Sequence, residues 1–133
     1  MPQLANLVLT DRAATPVNHT FTPRDIVNNV ATVEEATGGV PIGFNRVTVG
    51  LVRTQSGRYK ATLKGSFPIV QTQTINGVSS PVVVRTGYFD LTLSFDATSS
   101  EQERKDVVGM LASALDPSKT LVNDVVTKLQ SVY

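Results

Sequence analysis

The residues best suited to chemistry are basic side chains and threonines that recur at every second position in two neighbouring segments. These rows are Arg46, Thr48 and Gly50 in the first segment and Arg58, Lys60, Thr62 and Lys64 in the second. Successive residues of a strand point to opposite faces, so each row should lie on one face of a sheet. Lysine and arginine contact phosphates, and threonine hydroxyls can hydrogen-bond base edges. The rows predict a site for an extended anion, with single-stranded nucleic acid as first candidate. The alternative is a solvated sheet face without a ligand.

A third row has the same alternation. Tyr88, Asp90, Thr92 and Ser94 alternate with the apolar residues Phe89, Leu91, Leu93 and Phe95. An exposed tyrosine ring is a platform on which an unpaired base can stack. Tyr88 is therefore the aromatic candidate of the predicted site.

Residues for catalysis or metal binding are scarce. The chain has no cysteine and a single histidine, which excludes thiolate metal sites and any site that needs two imidazoles. His19 falls in the predicted N-terminal hairpin with no serine elbow motif beside it, so it is interpreted as a surface histidine at a turn. Helix capping explains Glu101 and Glu103. The sequence predicts no enzyme, no metal, no cofactor and no small-molecule substrate.

Composition further restricts the classes of protein to which the chain can belong. The chain has 133 residues, which predicts one domain spanning 1–133, with 41% hydrophobic residues and a mean hydropathy of +0.01. Twelve Lys and Arg against 11 Asp and Glu give a net charge of +1, so any nucleic-acid site must come from local clustering. No apolar run approaches the ~20 residues of a membrane span, and the N-terminus lacks the basic region and apolar core of a secretion signal. We expect a soluble cytosolic product without a membrane partner.

The elements that must position these rows are strands followed by helices. Alternation predicts strands at residues 4–10, 18–22, 30–36, 46–53, 58–67, 69–75 and 82–95, with loops at 37–43 and 76–81. Ser100 with Glu103 predicts a capping box that begins a helix, which Asp116 and Pro117 end. A second amphipathic helix is expected from Leu121 to near Val132 and Tyr133.

This order of elements predicts an α+β fold with two helices on one face of an antiparallel sheet. Two helices form a layer narrower than such a sheet. Either part of the apolar sheet face stays exposed, or a second copy covers it with its own helices. Because large exposed apolar surface marks an interface, we expect an obligate homodimer.

Several segments carry a resemblance to a known family. Residues 46–49 (RVTV), 57–64 (GRYKATLK), 72–78 (TQTINGV), 81–88 (PVVVRTGY) and 129–133 stand in one co-linear order. This order closely resembles the coat proteins of the small single-stranded RNA bacteriophages, the leviviruses, from end to end of the chain.

The resemblance implies an N-terminal β-hairpin, a five-stranded antiparallel sheet and two C-terminal α-helices that interlock in a dimer. Dimers would close into a T=3 icosahedral capsid that packages single-stranded genomic RNA, in a virion made in the bacterial host cytoplasm. The loop at residues 75–81 would adapt to different symmetry contacts. On its inner sheet face the family binds an operator RNA stem-loop and so represses replicase translation. A non-assembling dimeric RNA-binding module remains the alternative.

The resemblance also implies roles for single residues. Thr48, Val30 and Lys64 match an unpaired-adenine pocket, Tyr88 and Asp90 match contacts to a loop pyrimidine, and Arg46, Arg58 and Lys60 match phosphate contacts. Two positions depart from the family pattern. Gly50 stands where well-known relatives carry a serine that hydrogen-bonds the adenine, and Val52 stands where some carry an arginine. The expected consequence is a less discriminating adenine pocket, or a preference for a different loop.

Overall fold

A computed structural model describes residues 2–36 and 39–133. The residues divide into two compact units, a sheet up to Ser94 and a helical segment at Phe95–Tyr133. Of the predicted loop at 37–43, Thr37 and Gly38 lie outside the described residues, and Pro41–Gly43 forms a short 3-10 turn.

The sheet contains six strands in sequence order. They are β1 (Leu7–Thr10), β2 (Asn18–Val27), β3 (Val30–Glu35), β4 (Asn45–Arg53), β5 (Tyr59–Ile75) and β6 (Val78–Phe95). Each pair from β1 to β5 is antiparallel. Together with the two C-terminal helices, this architecture confirms the predicted fold class.

The sequence predicted a two-stranded hairpin and a separate five-stranded sheet, whereas the described residues form six strands in total. The difference arises because β2 belongs both to the hairpin and to the sheet. Its first half pairs with β1 (Phe21 opposite Leu7), and its second half pairs with β3 (Val27 opposite Val30). The register shifts between Pro23 and Asp25, where the strand accommodates a proline that cannot donate a ladder hydrogen bond. Pro23 therefore marks an irregularity within β2, and the chain reverses direction only at Asn28 and Asn29.

Tight turns set the register of two hairpins. Asn28 and Asn29 have φ values of 51° and 63°, and Asn76 and Gly77 have values of 52° and 77°. Asparagine and glycine tolerate this left-handed region, which two-residue hairpin turns require. The predicted break at 76–81 is wrong beyond Gly77, since the strand resumes at Val78 and contains Pro81. A proline fits there because β6 is an outer strand of the sheet.

The core of the sheet is small. Phe21, Val33 and Val47 are the buried hydrophobic residues in the described part of the chain, and they pack with Leu4, Leu7, Leu63 and Phe67. Gly65 lets β6 approach this side, because a Cβ there would lie 2.3 Å from Cε1 of Phe89. The Phe89 ring instead stacks obliquely on Phe67, with centroids 5.6 Å apart.

Two helices follow, α1 (Glu101–Ala114) and α2 (Thr120–Thr127). The predicted cap of α1 is present, since the Glu103 N–H donates to Oγ of Ser100 at 3.2 Å. The second helix is shorter than predicted. It ends before Leu129, whose φ of 56° is incompatible with a continued helix, and the N–H of Gln130 turns back to the Asp124 carbonyl. Within 2–36 and 39–133, no helix is long and apolar enough to cross a membrane.

Candidate nucleic-acid interface

Strand pairing places the predicted rows side by side. Thr48 lies opposite Lys64, and Gly50 lies opposite Thr62 on one side and Val30 on the other. We call this surface the polar face; it comprises the even-numbered residues of β3, β4, 60–66 of β5 and 88–94 of β6. The alternation in the sequence thus leads to one continuous surface across four strands.

Two side-chain contacts show that β6 contributes to the same face. Nζ of Lys64 lies 3.8 Å from Oδ2 of Asp90, and Nε of Arg58 donates to Oγ of Ser94 at 3.0 Å. Lys64 and Asp90 are both largely exposed. An exposed ion pair of this length contributes little stability, so the Lys64 ammonium can exchange Asp90 for a phosphate at small cost.

A shallow depression of about 450 Å³ lies on the polar face. Its side-chain rim consists of Arg46, Thr48, Lys64, Ser66, Tyr88 and Asp90. The Tyr88 ring is 77% exposed, as a stacking platform must be. The structure therefore brings five of the predicted site residues around one concavity that offers cations, a hydroxyl and an aromatic ring.

The other predicted residues lie outside this depression. Val30, Gly50 and Thr62 form a cross-strand row next to Thr48, while Arg58 and Lys60 lie towards the turn between β4 and β5. A Cβ added at Gly50 would lie 3.2 Å from Cγ2 of Val30 and 3.6 Å from Oγ1 of Thr62. A serine at this position would require Val30 to shift by a few tenths of an ångström.

Val52 faces the same way as Lys60, its cross-strand partner, and adds no charge to the polar face. The neighbouring Arg53 lies over the ring of Tyr59, with Cζ 5.7 Å from the ring centroid. Arg53 and Tyr59 are at odd-numbered positions and so lie on the apolar side of the sheet. Arg53 therefore does not replace the arginine that some relatives carry at position 52.

Arg46 is more constrained than the sequence suggested. Its Nε donates to Oε2 of Glu34 at 2.8 Å, and its Nη2 donates to the Pro41 carbonyl at 3.0 Å. Glu34 also lies 3.3 Å from Arg24. Arg46 thus borders the depression while it fixes the turn that precedes β4.

Sequence reasoning missed Thr32. It lies directly opposite Thr48 on β3, so a second threonine hydroxyl adjoins the predicted row. The signal was available, because Val30, Thr32 and Glu34 occupy alternate positions of the predicted third strand.

His19 has a partly exposed side chain, but it does not lie at a turn as the sequence predicted. His19 lies within β2, where Nδ1 is 2.6 Å from Oε2 of Glu35 and Nε2 is 2.7 Å from Oδ2 of Asp11. Its partners are 16 and 8 residues away along the chain, so only the folded sheet brings them together. Among the described residues, no group of three or more side chains of the metal-binding types is arranged to hold a metal ion.

Comparison with known proteins decides the family. The family model for "Levivirus coat protein" matches residues 2–133. The chain belongs to the levivirus coat protein family. This levivirus coat protein is 54% identical over 131 residues to the capsid protein of Pseudomonas phage PRR1, covering 98% of this chain and 99% of the relative. It is also 35% identical over 115 residues to the capsid protein of Escherichia virus Qbeta, with 84% and 83% coverage.

A solved structure agrees with these relatives. The virus-like particle of bacteriophage ESE058 matches the coat protein with a TM-score of 0.87 and 28% identity, over 99% of this chain and all of the other. The coat protein is therefore a structural capsid subunit of a bacteriophage virion and not an enzyme.

Proposed function

We propose that the chain forms an obligate homodimer, that dimers close into a T=3 icosahedral shell, and that the polar face binds RNA inside it. The observation that carries the dimer is the small core. Among residues 2–36 and 39–133, three buried hydrophobic residues are too few for a chain of this length, and α1 and α2 contain no buried residue.

The apolar face of the sheet supports the same proposal. Val47 is buried, but the next residues on its side of β4, Val49 and Leu51, are more than half exposed. On the helical segment, Met110, Leu121 and Val126 are exposed as well. A partner's helices on the exposed part of the sheet would remove both apolar surfaces from water, which is the main driving force of association.

The outer strand β6 offers a second means of joining two copies. Its 18 residues lie at the edge of the sheet, where unpaired backbone groups form a template for another strand. Two copies paired along β6 would form one continuous sheet with both polar faces on the same side. The family match over residues 2–133 supports treating the sheet and the helical segment as one capsid domain.

The RNA proposal rests on the composition of the polar face. Arg46, Arg58, Lys60 and Lys64, four of the chain's 12 Lys and Arg residues, lie near the threonines and Tyr88, where Glu34 and Asp90 are the acidic neighbours. We propose that this face contacts genomic RNA and, at the depression, one operator stem-loop that represses replicase translation. Synthesis would take place in the cytoplasm of the bacterial host.

Static light scattering of the expressed chain tests assembly. We expect particles of uniform size that contain nuclease-protected RNA and dissociate to dimers under mild denaturation. A species of dimer mass or smaller at micromolar concentration and neutral pH would contradict assembly. Such a result would favour the alternative, a non-assembling dimeric RNA-binding module.

A further inference from the structure

A cluster of ionisable side chains lies away from the polar face, where the N-terminal hairpin meets the sheet. Nδ1 and Nε2 of His19 on β2 contact Glu35 on β3 and Asp11 in the β1–β2 turn at 2.6 and 2.7 Å. Asn45, the first residue of β4, donates its side-chain amide to Oε1 of Glu35 at 2.9 Å. One imidazole therefore joins three segments of the chain.

The geometry constrains the protonation state. Neutral imidazole has one N–H donor and one acceptor nitrogen, whereas an ionised carboxylate can only accept. Two nitrogen–carboxylate contacts at hydrogen-bond distance therefore need a hydrogen on each nitrogen, that is, the imidazolium cation. Loss of one proton would turn one contact into a lone pair facing a carboxylate.

The groups around His19 favour its imidazolium form. Asp11 accepts hydrogen bonds from the backbone N–H of Val17 at 3.0 Å and of Ala13 at 3.1 Å. The Val17 bond, the His19 bond and the Ala13 bond lower the pKa of Asp11 to about 2, so this carboxylate remains ionised. The bonds to Asp11 and Glu35 raise the pKa of His19 above its ordinary value of 6.5.

The cluster borders a partly open pocket beside the core residue Phe21. A space of about 330 Å³ lies between the hairpin and the sheet, lined by Leu9, Thr10, Asp11, His19, Phe21, Asn45 and Phe67. The residues that line this pocket from β1, β4 and β5 are neutral, and the ion pairs of His19 are those with Asp11 and Glu35. Asp11 and His19 line this pocket and Glu35 contacts His19, so these ion pairs add to the apolar packing of Phe21 in attaching the hairpin to β3.

We propose that Asp11, His19 and Glu35 form a proton-dependent clasp that helps to hold the β1–β2 hairpin against the sheet and loosens it when His19 loses its proton. Because folding raises the affinity of His19 for its proton, the stabilisation is fully present below the unfolded pKa of 6.5 and disappears as pH rises through the folded pKa. The clasp is therefore closed in mildly acidic solution and opens towards alkaline pH.

Since His19 is the only histidine of the chain, a histidine-specific probe reports on this residue alone. Hydrogen–deuterium exchange at the imidazole C2 position, read by mass spectrometry over a pH series on the assembled protein, gives its midpoint. We expect a midpoint above 6.5 that moves down towards 6.5 in Glu35→Gln and Asp11→Asn. As pH rises through the midpoint, the backbone amides of the hairpin should exchange faster, after correction for the intrinsic pH dependence of exchange. The total increase should be about tenfold for each pH unit by which the His19 midpoint exceeds 6.5.

His19→Gln separates the clasp from general alkaline loosening. In this variant the backbone amides of the hairpin should exchange fast at every pH. The corrected exchange rate should no longer rise across the pH range in which wild-type His19 loses its proton. Glu101→Gln, which removes an exposed carboxylate 3.5 Å from Lys105 on α1, is the control and should leave the His19 midpoint unchanged. A wild-type midpoint at or below 6.5, or the same pH response in His19→Gln, would overturn the proposal. If Glu35→Gln does not fold, Asp11→Asn still tests whether the His19 midpoint falls, because Asp11 lies in an exposed turn where the substitution should be tolerated.

Discussion

Replacing Tyr88 with alanine is expected to weaken binding of an RNA hairpin by about 1–3 kcal/mol, roughly five- to 150-fold in Kd, without loss of assembly. The ring is 77% exposed at the rim of the depression, beside Lys64 and Asp90. An exposed aromatic ring contributes little to folding but provides stacking energy when a base covers it. Its removal should therefore reduce affinity while the coat protein stays folded.

The measurement is fluorescence anisotropy of a labelled hairpin, chosen by selection from a random-loop library, against dimers held below their assembly concentration. Tyr88→Phe is the matched control, because it keeps the ring and loses only the hydroxyl; its affinity should stay close to that of the wild type. The slope of log Kd against log salt should be the same in all three proteins, since no charge is removed. Wild-type affinity in Tyr88→Ala would remove Tyr88 from the RNA site.

Replacing Val49 with aspartate is expected to abolish the dimer and, with it, the shell. Val49 continues the apolar side of β4 beyond the buried Val47, and its side chain is 51% exposed in the isolated chain. If a partner's helices cover it, the new carboxylate would be buried without a counter-ion, at a cost of several kcal/mol. A dimer of ordinary stability does not survive such a penalty in both copies.

Val52→Asp is a matched control on the same strand. Val52 is 55% exposed but faces the polar side, opposite Lys60, so an aspartate there stays in water. Multi-angle light scattering after gel filtration should show monomer or aggregate for Val49→Asp and dimer for Val52→Asp. The control should nevertheless bind RNA more weakly, because it adds a negative charge beside Lys60. Dimers in both variants would contradict the proposed covering of the apolar face.

Local sequence rules predicted much of the sheet. Alternation placed Thr48 and Val49 on opposite faces of the sheet. The turn at Asn76 and Gly77 fixed the β5–β6 hairpin, which brings Asp90 next to Lys64. Both rules depend on residues close together in the chain, so they can be applied before the fold is known. They were enough to identify most members of the polar face, although Thr32 was missed.

Features set by distant contacts were missed or misjudged. His19 looked solitary, since Asp11 and Glu35 reach it only after β1, β2 and β3 have paired. Arg46 looked like a freely available phosphate contact, but Glu34 and the Pro41 carbonyl hold it. The early end of α2 at Thr127 has no breaker residue to announce it, and the left-handed Leu129 becomes visible only in the structure.

Cross-linking of packaged RNA to the assembled coat protein tests the RNA interface most directly. Ultraviolet irradiation of purified particles, followed by nuclease and protease digestion and mass spectrometry, identifies the peptides that carry a nucleotide adduct. We expect adducts on the strands that form the polar face, with Tyr88 as the principal site and with loss of that adduct in Tyr88→Ala. Adducts confined to the helical segment at Phe95–Tyr133 or to the Val49 side of the sheet would show that RNA lies elsewhere and would contradict the account.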